Sequence, residues 1–156
     1  MKYYREENGS DLVKEIVDTE SNEIFIADWS IVEAHTALKR SLFGEHPKAI
    51  EMETVKNVFV SIITTLQSDV GNKKFSLEAL PKNYFQRASS LIKDYGVMKE
   101  MGMKTGDAVQ IVAFEKLLRN FPTAKFVSAD KQLIKVIKEI SYEHIDINLN
   151  SSKIQA

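Results

Sequence analysis

Residues 105–118 read TGDAVQIVAFEKLL, a stretch in which apolar side chains predominate. Thr105 stands where a helix cap is expected, and Pro122 ends the element. A helix this apolar is predicted to lie deep against a sheet. The β-rich residues 125–129 follow as a buried strand, and residues 130–140 return to helical spacing.

The same alternation extends toward both ends of the chain. Further strands are predicted at residues 23–29, 75–80 and 145–148, and further helices at residues 11–18, 30–42, 49–70 and 81–95. Pro81 suits the first position of its helix, and residues 44–47 break the chain between two others. Strands separated by helices are typical of a parallel sheet, so the predicted fold class is α/β.

Size and composition fit one compact domain. The chain has 156 residues, a formal net charge of -1 and no cysteine, which excludes disulfide scaffolds, thiolate zinc sites, iron–sulfur clusters and cysteine nucleophiles. No apolar run exceeds four residues, which argues against a membrane span or a signal-peptide core. We therefore predict a single domain over residues 1–150, a flexible tail at residues 151–156, and a cytoplasmic location.

The near-neutral total hides a charge asymmetry. Residues 1–78 carry 9 basic and 14 acidic side chains, whereas residues 79–156 carry 12 basic and 8 acidic ones. Lys131, Lys135 and Lys138 recur at helical spacing and predict one basic helix face that could contact RNA phosphates. The alternative is a solvated face opposite the apolar side of the same helix.

Three carboxylates stand at positions typical of a site. Glu33 and Asp130 each follow a predicted strand, at the sheet edge where α/β folds place their sites, and Asp107 begins the apolar helix. Each also has a structural explanation: a Ser30-x-x-Glu33 capping box, an N-cap at Asp130, and helix-dipole stabilisation at Asp107. Converging carboxylates would repel one another unless a cation neutralised them. Hard oxygen ligands favour Mg²⁺ or Mn²⁺, which can promote phosphodiester hydrolysis.

Four segments together resemble a PIN domain, the nuclease fold of VapC-type toxins. They are residues 2–10 (KYYREENGS), 29–34 (WSIVEA), 106–113 (GDAVQIVA) and 126–133 (FVSADKQL). The resemblance spans nearly the whole chain. Its last two motifs, which centre on Asp107 and Asp130, are the more specific.

The resemblance implies a three-layer α/β/α fold with a central parallel sheet, and a metal-dependent endoribonuclease. Glu33, Asp107 and Asp130 would be the catalytic acids and the ligands of Mg²⁺ or Mn²⁺, and Ser128 would support them. RNA would be the substrate, and the toxin–antitoxin pairs of the family suggest an antitoxin protein and a second copy of the chain as partners. The alternative is a catalytically impaired PIN-like scaffold that binds protein or RNA. A more distant one is a regulatory α/β domain whose acids are only helix caps.

One family element is missing from the sequence. PIN domains open with an apolar strand that ends in an aspartate, and the present sequence begins at Met1, after that point. Glu6, Glu7 and Asp11 do not match the position of that aspartate. We expect either a start upstream of Met1 or a copy with impaired metal binding. The reading frame upstream distinguishes the two, because an in-frame stop codon directly before Met1 excludes the first.

Overall fold

The computed structural model describes residues 2–44 and 49–150. In chain order the elements are α1 (Ser10–Asp18), β1 (Phe25–Ala27), α2 (Asp28–Phe43), α3 (Ala49–Gly71), β2 (Ser76–Glu78), α4 (Tyr84–Leu91), a π-helical segment (Ile92–Met98), α5 (Thr105–Leu117), β3 (Phe126–Ser128), α6 (Lys131–Glu139), β4 (His144–Asp146) and α7 (Ile147–Asn150). The predicted α/β class is confirmed. None of the described helices is long and apolar enough to cross a membrane. The predicted tail at residues 151–156 lies outside the described residues, as does most of the break at residues 44–47.

The strands form two separate parallel pairs. In the first, β1 pairs with β2, and Ile26 lies opposite Leu77. In the second, β3 pairs with β4, and Val127 lies opposite Ile145. The single central sheet that we predicted is not formed. No strand in residues 2–44 and 49–150 joins one pair to the other. The three-layer arrangement therefore remains a prediction.

Helix α5 is the centre of the hydrophobic core. Its buried residues face in all directions around the helix axis, as expected of a helix that is apolar on every side; they are Ala108, Val109, Ile111, Val112, Ala113, Phe114 and Leu117. The ring of Phe114 lies 5.2 Å from that of Phe126 in β3. Just beyond the helix, the ring of Phe121 lies 4.7 Å from that of Phe25 in β1. The α5 region thus contacts both strand pairs.

Three element boundaries differ from the sequence prediction. Helix α4 begins at Tyr84 rather than at Pro81, because the Tyr84 N–H donates to the Pro81 carbonyl and closes a turn before the helix. Its predicted end at residue 95 is also wrong, because α4 ends at Leu91 and the π-helical segment continues to Met98.

The last strand ends at Asp146, so its predicted continuation to residue 148 is wrong. The Asp146 carboxylate accepts the Asn148 N–H at 3.0 Å, an Asx-type bond that turns the chain into α7. The other predicted boundaries agree within two residues.

Candidate active site

The three acids predicted for the sheet edge lie near the N-terminal ends of three helices. Helix α2 begins directly after β1, and α6 begins after β3 with Asp130 as its N-cap. Helix α5 packs against α2 and against β1. The acids predicted at this edge are Glu33 on α2, Asp107 on α5 and Asp130 before α6. Each of these three carboxylates accepts a hydrogen bond from a different donor.

Glu33 is held by α5. The Gln110 Nε2 donates to Glu33 Oε2 at 2.5 Å. Glu33 Oε1 lies so close to Gly106 that a Cβ atom built on this glycine would overlap it. The capping-box interpretation of Glu33 is wrong, because α2 begins at Asp28 and Ser30 lies inside the helix. Glu33 instead links α2 to α5 across 77 positions of sequence.

Asp107 occupies the first turn of α5. Its Oδ2 accepts the backbone N–H of Lys104 at 3.0 Å, so the expected role at the helix start is confirmed. Burial raises the pKa of the Asp107 carboxyl above its ordinary value of 3.8, and the negative charges of Asp130 and Glu33 add to this rise. The Lys104 N–H and the Lys104 charge act in the opposite direction. Asp107 is therefore within electrostatic reach of both other acids.

Asp130 is the N-cap of α6, as its structural explanation predicted. Its Oδ1 accepts the N–H groups of Gln132 at 2.8 Å and of Leu133 at 3.2 Å. The backbone N–H of Asp130 donates to Ser128 Oγ at 3.0 Å, which fixes the turn between β3 and α6. Ser128 thus supports the position of Asp130 through its hydroxyl group.

Each of the three acids has one carboxylate oxygen outside these bonds. Glu33 Oε1, Asp107 Oδ1 and Asp130 Oδ2 accept no hydrogen bond and join no ion pair in the part of the chain that the structure describes. Such oxygens are the ligand type that Mg²⁺ and Mn²⁺ prefer. The described residues contain no group of three acidic, histidine or cysteine side chains placed close enough together to hold an ion. The metal-ligand assignment stays a prediction.

The predicted basic face lies on α6. Lys131, Lys135 and Lys138 are all exposed, and the opposite side of the helix is buried through residues that include Leu133 and Ile137. The stripe starts next to Asp130 and runs along α6 away from it. We call the region that carries Glu33, Asp107 and Asp130 the acidic edge. An exposed stripe is also what a merely solvated face would show, and RNA contact by these lysines stays a prediction.

Two residues of this edge had no role assigned from sequence. Gly106 makes room for the Glu33 carboxylate, and Gln110 holds that carboxylate in place. A signal for Gln110 was present, because it is a polar side chain one turn after Asp107 in an otherwise apolar stretch. Its partner could not be predicted, since Glu33 belongs to a distant segment.

Comparisons with known proteins yield no relative. No family model matches the chain, and neither the curated proteins nor the solved structures give a match.

The variant Gly106→Ala is expected to displace Glu33 while the fold persists. The new methyl group would overlap Glu33 Oε1, and the flexible end of that side chain can move aside. Because alanine favours a helix over glycine, the free energy of unfolding should change by no more than about 1 kcal/mol. Mn²⁺ affinity, measured by titration calorimetry, should fall about tenfold, as when a group that orients a ligand is lost.

The matched control for this variant is Gly71→Ala at the end of α3, where a Cβ atom would meet nothing within 4 Å. Its Mn²⁺ affinity should equal that of the parent protein. Equal affinities for Gly106→Ala and the parent would show that the position of Glu33 does not matter for metal binding.

Proposed function

We propose that the chain is a PIN-like endoribonuclease that cleaves RNA phosphodiester bonds with Mg²⁺ or Mn²⁺ at Glu33, Asp107 and Asp130. The observation that carries the proposal is the position of Asp107 at the start of a buried helix, with its carboxyl pKa raised partly by both other acids. Acidic side chains that lie close enough to raise one another's pKa are characteristic of functional sites.

The three acids have distinct surroundings that suit the hydrolysis. A bound metal would lower the pKa of a coordinated water and offset charge on the phosphoryl oxygens. In hydrolysis, the water oxygen bonds to phosphorus, the bond from phosphorus to the leaving sugar oxygen breaks, and that oxygen takes up a proton. A cation held by the three acids would also offset the mutual repulsion that contributes to the raised pKa of Asp107. Gln110 and Ser128 hold Glu33 and Asp130 in orientation.

The two separate strand pairs differ from the single central sheet that the resemblance implies. Parallel sheets are normally larger and covered on both faces, whereas Leu77 and Val127 here remain partly exposed. We include in the same proposal the cytoplasmic location, an antitoxin protein and a second copy of the chain as partners.

The second candidate function is the impaired PIN-like scaffold that binds protein or RNA. The observation that favours it is the lack of a ready metal-holding group in residues 2–44 and 49–150. Such a scaffold would bind Mn²⁺ weakly in calorimetry and would still form a stable complex with its partner.

Cleavage of a structured RNA by the purified protein tests the proposal. We expect RNA fragments in Mn²⁺ and none in EDTA, because the acids need a cation to act together on a phosphate. The same assay is run on a longer chain if the reading frame continues upstream of Met1. If neither the present chain nor the longer chain cleaves RNA in Mn²⁺, the nuclease proposal is rejected and the scaffold remains as the candidate function.

A further inference from the structure

Trp29 is an exposed aromatic side chain beside the acidic edge. It is the only tryptophan of the chain, it lies in the first turn of α2, and 39% of its surface is exposed. Within the described residues its ring stacks on no other aromatic ring. Partial exposure of a tryptophan at a helix start leaves part of a large apolar ring in contact with solvent.

The helical spacing places Trp29 next to Glu33. Residues four positions apart lie one above the other on a helix, so Trp29 and Glu33 share a face of α2. Glu33 on this face contacts Gly106 and Gln110 of α5. Trp29 therefore lies one helical turn before Glu33, and part of its ring faces solvent. Val32 follows at the third position and is also exposed, so it extends the apolar surface beside the ring.

Charge decides which part of a nucleotide fits there. The first two turns of α2 carry Asp28 and Glu33 and no lysine or arginine, so a phosphate would be repelled from the ring. Lysines instead flank the other two acids, with Lys104 directly before α5 and Lys131 directly after Asp130. A phosphate would therefore be favoured on the lysine side, and an uncharged base beside Trp29.

We propose that Trp29 is a stacking platform for an unpaired nucleobase of an RNA strand bound beside Glu33. The proposal rests on the proposed function only in taking RNA as the ligand. Aromatic side chains bind unpaired bases by stacking with little sequence preference, since every base presents a π-face. In a duplex these faces are covered by neighbouring bases, and a duplex is excluded from the platform.

Tryptophan fluorescence tests the proposal directly, because all tryptophan emission of the protein comes from Trp29. The protein is titrated with a single-stranded RNA oligonucleotide, with a strand of the same length that lacks bases, and with a fully paired duplex. Titrations are run in EDTA and again in Ca²⁺, so that a metal requirement for binding does not hide the signal. Only the intact single strand is expected to quench the emission. Equal quenching by the strand without bases, or no quenching by any RNA in either condition, overturns the proposal.

Variants separate stacking from a general effect on the fold. Trp29→Ala should weaken binding of a labelled single strand, measured by fluorescence anisotropy, about tenfold or more, because the stacking interaction is lost. Trp29→Phe keeps an aromatic ring and should recover most of the affinity. Phe85→Ala removes a ring on α4 that is 57% exposed, and it should bind as the parent does. Parent-like binding by Trp29→Ala overturns the proposal.

The outcome is distinguishable from failure of the nuclease proposal. Base-dependent quenching without any Mn²⁺-dependent cleavage would support the platform and reject the nuclease. Cleavage without base-dependent quenching would support the nuclease and reject the platform.

Discussion

Asp107→Asn is expected to lower the rate of RNA cleavage by at least about 100-fold, because it removes the charge on which both the metal and the attacking water depend. The fold should be retained, since an asparagine oxygen can still accept the Lys104 N–H that Asp107 accepts now. The measurement is the initial rate of Mn²⁺-dependent cleavage, with circular dichroism to confirm the fold.

The matched control for Asp107→Asn is Asp11→Asn, which changes an exposed acid in the first turn of α1. Both variants remove one negative charge from the start of a helix, so a shared effect would reflect the helix dipole alone. Cleavage by Asp107→Asn at the parent rate would show that Asp107 takes no part in the reaction.

Asp107→Asn is also expected to change how the free energy of unfolding depends on pH. The pKa of Asp107 is raised by burial and by Asp130 and Glu33, so between 3.8 and the raised value the folded chain binds more protons than the unfolded chain. The free energy of unfolding therefore falls as the pH rises through this window. The asparagine of the variant does not titrate, and the stability of Asp107→Asn relative to the parent should increase from acidic to neutral pH. Urea denaturation at both pH values measures this difference.

Ile111→Ala is expected to lower the free energy of unfolding by about 3 kcal/mol or more, as for other large-to-small changes in a core. Ile111 is 0% exposed at the centre of α5, and truncation would leave a cavity among the side chains that contact both strand pairs. Such a loss is a large fraction of the stability of a typical domain. Urea denaturation with an unchanged m-value measures it.

Val60→Ala on α3 is the control for Ile111→Ala, because Val60 is 60% exposed. Its effect should stay within about 0.5 kcal/mol, as for other surface substitutions. A cost for Ile111→Ala no larger than that of Val60→Ala would contradict the central position of α5.

Local pattern was sufficient to predict most of the elements. The apolar residues of α5 predicted its burial, and the apolar pair Phe126 and Val127 predicted β3, since both signals are contained within a short stretch of sequence. The end of β4 was missed because a side-chain bond from Asp146 to the Asn148 backbone competes with the strand. Pairing of β1 with β2 and of β3 with β4 depends on long-range packing, which periodicity does not encode.

The candidate site was predictable in its residue types and not in its contacts. Asp130 was recognisable as an N-cap from its position after a strand, and the structure has it so. Glu33 was interpreted through Ser30, its neighbour in sequence, whereas its contacts are Gly106 and Gln110. Such contacts arise only when α2 packs against α5. A tertiary contact therefore overrode the local capping signal.

The two strand pairs also differ in how much chain must be ordered before they form. The β3–β4 pair encloses only α6, whereas the β1–β2 pair encloses both α2 and α3. Closing a longer loop costs more entropy and slows the search for native contacts. We expect the unit β3–α6–β4 to form early in folding, and the β1–β2 pair to form late. Glu33 lies between the late-forming strands β1 and β2, whereas Asp130 lies in the early-forming unit β3–α6–β4. We therefore expect the acidic edge to be assembled only in the last steps of folding.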